Sequence, residues 1–231
     1  MQKHLRLAEL YIDVGLCFYN DLGSLKHSVP TYQENVRKIH AIDGRFQWFE
    51  SDKDYSDPEV IEYLQSFDNV EISQFVGLEH DKRNQYVKLA GENKADALLI
   101  IDSDDYVLEA DWDLFYKSAE ERIKQYPTEN FFGVEFRYTP PNYPRPEYTP
   151  YPRLWARPNE CEYYKAHCIF RGKNGGPTRS SSRTPKIDGL RFASGDDYRS
   201  TEYLQKISKY QGRMISYEIP VRHALRDGLP I

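Results

Sequence analysis

The strongest constraint on the fold is a run of five apolar residues that leads directly into a cluster of acids. Residues 97–101 read Ala-Leu-Leu-Ile-Ile, and Asp102, Asp104 and Asp105 follow. A short apolar run bounded by polar residues is typical of a strand buried on both faces of a parallel sheet. Because ligands of open α/β sheets collect at the carboxyl ends of the strands, these acids are predicted to stand at a functional edge.

The spacing of the acids predicts a metal site. Side chains two apart on a strand point to the same side, so Asp102 and Asp104 are expected to lie together. Like charges at that distance repel each other unless a cation separates them, and a divalent ion with oxygen ligands is the natural partner. The alternative is an exposed acidic turn after a core strand, which would hold no ion.

Strand-like and helix-like segments alternate through the first half of the chain. The strands are predicted at residues 10–19, 39–42, 69–73 and 97–101, and the helices between them at 24–38, 56–67 and 81–93. Alternation of this kind is typical of parallel βαβ units. The expected fold class is therefore α/β.

In the second half, residues 111–126 are predicted to form a helix and residues 131–138 a strand. The further expectations are an irregular connection at 139–152, a strand pair within 154–170, a basic lid or surface loop at 172–186, a helix at 197–211 and a strand at 213–217. The connection is rich in Pro and Tyr, which is why no strand is predicted there. No repeat or linker divides the 231 residues, so one domain is expected.

The composition argues against several classes of protein. A net charge of −5 disfavours binding of nucleic acid along the whole surface. No apolar segment approaches the ~20 residues of a membrane helix, and the first residues do not resemble a signal peptide, so a soluble, cytoplasmic protein is expected. Cys17, Cys161 and Cys168 are odd in number and are predicted to be reduced thiols. A zinc site at Cys161, His167 and Cys168 is disfavoured because no CxxC pair exists.

Several segments, in the same order along the chain, resemble the GT-A glycosyltransferases of family 2. They are Leu-Cys-Phe-Tyr-Asn-Asp at 16–21, Ala-Ile-Asp-Gly at 41–44, Lys-Arg-Asn-Gln at 82–85, Asp-Ser-Asp at 102–104, and Gly-Asp-Asp-Tyr at 195–198 followed by Gly212 and His223. The resemblance implies a GT-A, Rossmann-like fold with a mixed, mainly parallel sheet flanked by helices. It also implies one catalytic domain over 1–231, in which about 1–130 bind a nucleotide-sugar and about 131–231 shape the acceptor site.

The resemblance implies which residues bind the donor, expected to be a UDP-sugar. They are Tyr19, Asn20, Asp43, Arg83, Asn84, Asp102 and Ser103. Asp43 would meet the base of the nucleotide, and an Asp before Gly is alternatively a good turn former. Arg83 could make a bidentate contact with phosphate, and a surface salt bridge on its helix is the alternative.

The same resemblance implies a metal ion and a catalytic base. Mn²⁺ or Mg²⁺ would be held by Asp102, Asp104 and His223 and would stabilise the departing diphosphate as a Lewis acid. Transfer with inversion needs a general base that takes the proton from the acceptor hydroxyl. The family pattern places that base on the second acid of a Glu-Asp pair, which here is Asp197, with Asp196 in place of the Glu. The alternative is that both acids cap the helix beginning there.

The acceptor is not identified by the sequence. Arg153 and His167 are assigned to the acceptor side from their position alone, and packing is the alternative for both. A glycan, a lipid, a protein or a modified nucleic acid would all offer a suitable acceptor group, and the basic stretch at 173–186 keeps the last of these open.

Other functions are compatible with parts of the pattern. A haloacid-dehalogenase-like phosphatase also has an apolar strand followed by Asp-x-Asp, but its nucleophile strand usually comes early and Tyr106 stands where Thr or Val is expected. A sugar-nucleotide-binding protein without turnover would keep the fold but has no need for a base. A sugar-nucleotide pyrophosphorylase would need a Gly-rich phosphate loop near the N-terminus, which this sequence lacks.

Overall fold

The computed structural model describes residues 10–47, 49–138, 147–165, 169–172 and 184–194. Its strands are β1 (Ile12–Phe18), β2 (Ile39–Asp43), β3 (Val70–Gln74), β4 (Ala97–Asp102), β5 (Asp105–Ala110), β6 (Phe131–Tyr138), β7 (Glu147–Ala156), β8 (Cys161–Lys165), β9 (Ile169–Gly172) and β10 (Lys186–Ser194). Its α-helices are α1 (Leu22–Ser28), α2 (Pro58–Gln65), α3 (Glu79–Glu92) and α4 (Trp112–Gln125).

Eight of the strands form one sheet in the order β3-β2-β1-β4-β7-β6-β10-β5. The first four are parallel to one another, with Val14 of β1 level with Ile39 of β2 and with Leu99 of β4. β7 runs antiparallel to β4 and β6, and β10 is parallel to β6 but antiparallel to β5. The predicted fold class, a mixed and mainly parallel sheet flanked by helices, is confirmed.

The central position of β1 and β4 follows from their apolar sequences. All seven residues of β1 and the first five of β4 are buried, as the run at 97–101 predicts. Alternate side chains enter two apolar clusters, with Leu99 in one and Leu98 in the other. Helices α1, α2 and α4 contribute to the first cluster and α3 to the second, so helices cover both faces of the sheet.

The structure differs from the sequence-based expectation at 24–38 and 139–152. Helix α1 ends at Ser28 and two short 3-10 turns follow, Val29–Thr31 and Gln33–Asn35, so the single helix expected there is wrong. Pro30 lies in the first of these turns, where its missing N–H is tolerated. Of the expected irregular connection, residues 147–152 belong to β7, because pairing with β6 supports a strand that the prolines alone disfavour.

Strands β5 and β10 have no counterpart in the sequence-based expectation. They pair with each other, and β10 also pairs with β6, so all of their partners are distant in the chain. Gly189 of β10 has a φ of +103°, and a Cβ there would lie 2.4 Å from the backbone nitrogen of Phe115. This close approach between β10 and α4 therefore requires glycine.

The remaining expectations have mixed outcomes. The strand pair expected within 154–170 is present as β8 and β9, which form a separate two-stranded sheet. The expected helix at 197–211, the expected strand at 213–217 and residues 173–183 of the expected lid lie outside the described residues. In the described part of the chain, no helix combines the length and the apolar character needed to span a membrane.

Candidate functional site

The candidate site lies at the carboxyl edge of the parallel strands. Phe18, the last residue of β1, is level with Asp43 of β2, and Cys17 is level with Asp102 of β4. The turns that follow these strands therefore meet at one edge of the sheet. The predicted groups at 19–21, 43–44 and 102–105 are brought together there because parallel strands end on the same side.

The chain reverses direction at the tip of β4, which changes how the acids are arranged. β4 ends at Asp102, Ser103 and Asp104 form a turn, and β5 begins at Asp105. Strand alternation therefore does not relate Asp102 to Asp104, because Asp104 lies in the turn and not on the strand. Instead Asp105 returns toward β4, and its Oδ2 accepts a hydrogen bond of 3.1 Å from the backbone N–H of Asp102.

The carboxylate of Asp102 is held between two arginines. Its Oδ1 lies 2.8 Å from Nη1 of Arg83, and its Oδ2 accepts from Nη1 of Arg153 at 3.1 Å. Burial by itself would raise the pKa of Asp102, but the two guanidinium groups hold that pKa well below its usual range. Asp102 is therefore ionised at neutral pH and forms the centre of the site's charge network.

Asp105 is a second acid of the site that the sequence analysis did not select. It is buried, and its Oδ2 lies 2.8 Å from Nη2 of Arg153, so one guanidinium joins Asp102 and Asp105. Burial and the negative charges of Asp102 and Asp104 raise the pKa of Asp105, against the opposing effect of Arg153. The available signal was its place in the acidic run, but its partner Arg153 is distant in the chain.

Arg83 is fixed from its other side by α3 and β8. Its Nε donates to Oε1 of Glu79 at 2.9 Å, one turn earlier in α3, and Glu79 is itself buried. Its Nη1 lies 3.4 Å from the hydroxyl of Tyr86, which donates to Tyr163 at 2.9 Å. The salt bridge on the helix that was considered as an alternative for Arg83 is present, with Glu79, but it is buried and not at the surface, and Arg83 also pairs with Asp102 across the site.

The described residues supply only part of the predicted metal site. Within them, no group of three or more His, Cys, Asp or Glu side chains converges as metal ligands would. Both oxygens of Asp102 already pair with arginines, which disfavours direct coordination of a cation by that carboxylate. Asp104 is half-buried in the turn, and His223 lies outside the described residues. The prediction of Mn²⁺ or Mg²⁺ therefore stays a prediction that depends on Asp104 and His223.

Asp43 is fully buried, and protein groups satisfy its carboxylate in this structure. Its Oδ1 accepts from the backbone N–H of Ser56 at 3.1 Å and from the Ser56 hydroxyl at 2.6 Å. Its Oδ2 lies 3.2 Å from the same N–H and 3.4 Å from Nε2 of Gln74. A base that is read by Asp43 would have to replace one of these donors, which come from residues distant in the chain and not from a local turn.

Tyr19 and Asn20 are held by residues 51–57, the segment that also satisfies Asp43. The Tyr19 hydroxyl donates to the carbonyl of Lys53 at 2.8 Å. Asn20 accepts at its Oδ1 from the backbone N–H of Asp57 at 2.7 Å, and its own N–H donates to Oγ of Ser56 at 2.8 Å. Segment 51–57 therefore lies against three of the side chains predicted to bind the donor.

Ser103 and Asn84 form hydrogen bonds that join the candidate site to neighbouring segments of the chain. The Ser103 hydroxyl donates to Oδ2 of Asp21 at 2.9 Å, which joins the tip of β4 to the turn after β1. The Asn84 amide donates to the Tyr163 carbonyl at 2.7 Å, and its oxygen accepts from the Tyr163 N–H at 2.8 Å. Asn84 thus connects α3 to β8, and its predicted contact with the donor stays a prediction.

The residues predicted for the acceptor side and for catalysis have different outcomes. Arg153 is buried, pairs with Asp102 and Asp105, and has its guanidinium carbon 5.2 and 5.1 Å from the ring centroids of Phe136 and Tyr151. The geometry gives it a role in fixing the acids of β4 and β5. The remaining predicted residues lie outside the described part of the chain: His167, Asp196, Asp197 and His223.

No protein-family model matches this sequence, and no curated protein does. Among solved structures, TarS 1–349 from S. aureus is similar with a TM-score of 0.40 and 16% identity, over 59% of this chain and 38% of that one. The complex of TarS 1–349 with UDP-GlcNAc gives 0.40 and 15%, over 60% and 37%. A mannose-1-phosphate geranyltransferase from Thermus thermophilus gives 0.37 and 14%, over 64% and 50%.

The chain matches half or less of the length of each of these three structures. At these identities the similarity concerns the arrangement of strands and helices only. The sequence resemblance to the family 2 GT-A glycosyltransferases is thus accompanied by a partial structural similarity to TarS, a protein whose structure has been determined with UDP-GlcNAc and with UDP.

Proposed function

We propose that this chain is a glycosyltransferase that moves a sugar from a nucleotide-sugar to an acceptor hydroxyl. The observation that carries the proposal is the meeting of three strand ends, which brings an ionised acid, two arginines and the turn at 103–104 to one edge of the sheet. About 1–130 would bind the donor, and about 131–231 would form the acceptor side. The nucleotide of the proposed donor is uridine diphosphate, the ligand named for TarS.

Arg83 and Arg153 support a diphosphate subsite beside the turn at 103–104. A guanidinium group matches a phosphate in planar, bidentate geometry and keeps its charge at any physiological pH. Both side chains are already ordered by Asp102, and Arg83 also by Glu79, so little side-chain entropy remains to be lost on binding. Asp102 would orient the arginines, and the arginines would balance the charge of the departing diphosphate.

We propose that Asp104 and His223 hold Mn²⁺ or Mg²⁺, with Asp102 adjacent to the ion. When bound, the ion supplies Lewis-acid stabilisation to the departing diphosphate. The half-buried position of Asp104 supports its assignment as a ligand, since this residue lies in the turn beyond the end of β4 and not within the strand. The pairing of Asp102 with arginines assigns that residue to orientation more than to coordination.

We propose that Asp197, with Asp196 beside it, provides the general base. The acceptor oxygen attacks the anomeric carbon while the bond from that carbon to the diphosphate oxygen breaks. The hydroxyl proton passes to the carboxylate, the bonding electron pair leaves with the diphosphate, and the anomeric configuration inverts. His167 is proposed to contact the acceptor, whose class is a glycan, a lipid, a protein or a modified nucleic acid.

We further propose that the reaction takes place in the cytoplasm. Cys17 and Cys161, the cysteines among the described residues, are buried and are not joined by a disulfide. Buried cysteines without a disulfide are typical of proteins in reducing compartments.

The phosphatase alternative is weakened by the surroundings of Asp102. A nucleophilic Asp would need one carboxylate oxygen free to approach phosphorus, whereas both oxygens of Asp102 pair with Arg83 and Arg153. The alternative of a sugar-nucleotide-binding protein without turnover makes the same binding prediction as the transferase. It differs only in the absence of slow hydrolysis of the donor, which the experiment measures.

The test is a thermal-shift panel of UDP, GDP, CDP and ADP and their sugars, with and without Mn²⁺. A ligand that binds only the folded state raises its melting temperature. We expect a metal-dependent shift with a uridine diphosphate compound in the wild type. The shift should be lost in Asp104→Asn and kept in Asp113→Asn, which removes an exposed acid from the first turn of α4.

Each outcome of the panel has a separate meaning. An equal shift in Asp104→Asn would show the metal assignment to be wrong, and no shift with any nucleoside diphosphate would refute the donor class. Binding without release of free sugar on long incubation would favour the binding protein. The anomeric configuration of any product, measured by NMR, decides between inversion and retention.

A further inference from the structure

Lys82 is a charged residue whose side chain is buried at the candidate site. It belongs to the first turns of α3 and is 1% exposed. Its Nζ donates to the carbonyl of Phe18 at 2.8 Å and to the carbonyl of Gly44. Phe18 is the last residue of β1, and Gly44 directly follows β2. One ammonium group thus joins the ends of two neighbouring strands.

These two carbonyls lie where the ladder between β1 and β2 ends. Phe18 and Asp43 form the last pair in register, so beyond them the two strands no longer exchange backbone hydrogen bonds. A buried carbonyl needs a donor, and Lys82 supplies one to each side. The residues held in this way are the immediate neighbours of Asp43, which is predicted to meet the base of the nucleotide, and of the Tyr19–Asn20 turn, which is predicted to bind the donor.

The surroundings of Lys82 come from three elements. Cys17 of β1, Asp43 of β2 and Arg83 of α3 are the ionisable groups that act on its charge. The ring of Phe46 lies 5.0 Å from Nζ, within cation–π range. Burial lowers the pKa of Lys82 to about 8, because the charged form is costly away from water.

We propose that Lys82 is a positioning residue for the nucleoside end of the donor site, where its ammonium group holds the ends of β1 and β2 at the spacing that a nucleoside diphosphate requires. The identity of the ligand rests on the proposed function, whereas the clamp itself does not. An ammonium group has three donors and no acceptor, so it can satisfy both carbonyls and still direct an N–H toward Phe46.

Loss of the proton from Lys82 weakens the clamp. The neutral amine keeps two N–H donors and gains a lone pair, and its hydrogen bonds are no longer charge-assisted. The clamp is therefore strongest below the pKa of Lys82 and weakens as the pH rises through it. The affinity for a nucleoside diphosphate is expected to fall over the same range of pH.

Amide hydrogen exchange on the protein without ligand tests the clamp directly. In Lys82→Met, the amides of residues 19–21 and 44–47 should exchange about tenfold faster than in the wild type, and the β4 amides should be unchanged. The matched control is Lys88→Met, which removes a lysine on the exposed side of the same helix. In the wild type alone, protection at 19–21 and 44–47, corrected for intrinsic exchange, should fall relative to β4 above about pH 8.

Calorimetric titration with UDP tests the effect on the ligand. Lys82→Met should bind about tenfold more weakly than the wild type, because the two strand ends that Lys82 joins would then have to be ordered by the ligand. The affinity of the wild type should fall several-fold between about pH 7 and about pH 9, and that of Lys82→Arg should not, because a guanidinium group stays charged. Lys88→Met should follow the wild type at every pH.

The outcomes separate this inference from the proposed function. UDP binding by Lys82→Met with wild-type affinity and wild-type pH dependence overturns the inference and leaves the proposed function intact. Failure of the wild type to bind any nucleoside diphosphate overturns the proposed function. In that case the exchange data decide the clamp, and unchanged protection in both the variant and the alkaline wild type overturns it.

Discussion

Replacement of Asp13 by Asn is expected to destabilise the protein by about 2–3 kcal/mol, because it removes a buried charge that orders three elements. Asp13 is fully buried near the start of β1. It accepts from Nε and Nη2 of Arg37 at 2.7 and 2.8 Å and from Nε2 of His40 at 2.9 Å. Arg37 also donates to the carbonyl of Asn93 at 3.0 Å, which ties the end of α3 to this network.

The magnitude follows from counting which of these contacts an amide can keep. The Asn oxygen can still accept from Nε of Arg37, but its NH₂ group, in place of Oδ2, faces both Nη2 of Arg37 and Nε2 of His40. His40 can accept from this NH₂ by changing tautomer, whereas Arg37 cannot, so one charge-assisted hydrogen bond and the counter-charge are lost, about 2–3 kcal/mol together. Asp13→Ala keeps neither oxygen and should cost about 3–5 kcal/mol, as for other broken buried pairs.

The effect should depend on pH in the acid range. Burial by itself would raise the pKa of Asp13, but hydrogen bonds from Arg37 and His40 lower it below its ordinary value. The stabilisation is therefore fully present above the unfolded-state pKa of about 3.9 and is lost as the pH falls through the lower folded-state value. The difference in stability between wild type and Asp13→Asn should accordingly shrink as the pH falls below about 4.

Urea denaturation followed by tryptophan fluorescence, at about pH 7 and about pH 3, measures these differences. The control is Glu120→Gln, which breaks an exposed pair with Lys124 on α4 and should change the free energy of unfolding by under about 0.5 kcal/mol. A loss in Asp13→Asn of under about 1 kcal/mol at pH 7 would refute the reasoning, as would a difference that does not decrease in acid.

Two further predictions concern the scaffold. Gly189→Ala should cost about 3 kcal/mol or more in thermal or urea unfolding, because φ is +103° and the new Cβ would lie 2.4 Å from a backbone nitrogen. The control is Gly23→Ala in α1, where the new Cβ meets no atom within 4 Å, so this substitution should be neutral or slightly stabilising. Equal effects of the two substitutions would contradict the prediction. Burial raises the pKa of the Cys17 thiol to about 11. In a variant without Cys161 and Cys168, this thiol should therefore react with DTNB only at the rate of unfolding. Rapid reaction with the native protein would contradict the prediction.

The charge network explains why Asp102 is unsuitable as a simple marker of a metal site. In sequence it is one of three acids in four positions, and the pattern predicts coordination of a cation. In the folded chain, Arg83 comes from α3 and Arg153 from β7, and their positive charges take the place that the sequence argument assigned to the ion. Among the described residues the positive charge beside Asp102 comes from these two arginines, and the metal ion stays a prediction.

Local sequence determined the central strand, the alternation of strands and helices, and the presence of acids at a strand end. Residues 97–101 form β4 because an apolar run favours a strand buried on both faces, whichever partners it finds. The start of α4 was also predicted from the local sequence, and the structure shows Asp111 as its capping residue, which accepts a hydrogen bond from the N–H of Leu114. These features depend on residues only a few positions away in the chain, so they can be predicted from a single sequence.

Tertiary structure alone decided which charges meet and which strands complete the sheet. Arg153 reaches Asp102 and Asp105 only because β7 pairs with β4, and β5 and β10 become strands only by pairing with each other and with β6. In the same way, Ser56 donates its hydrogen bonds to Asp43 because segment 51–57 folds back over the ends of β1 and β2. Such contacts join residues that are far apart in the chain, so no local sequence pattern predicts them. They stabilise the protein only once the sheet has formed.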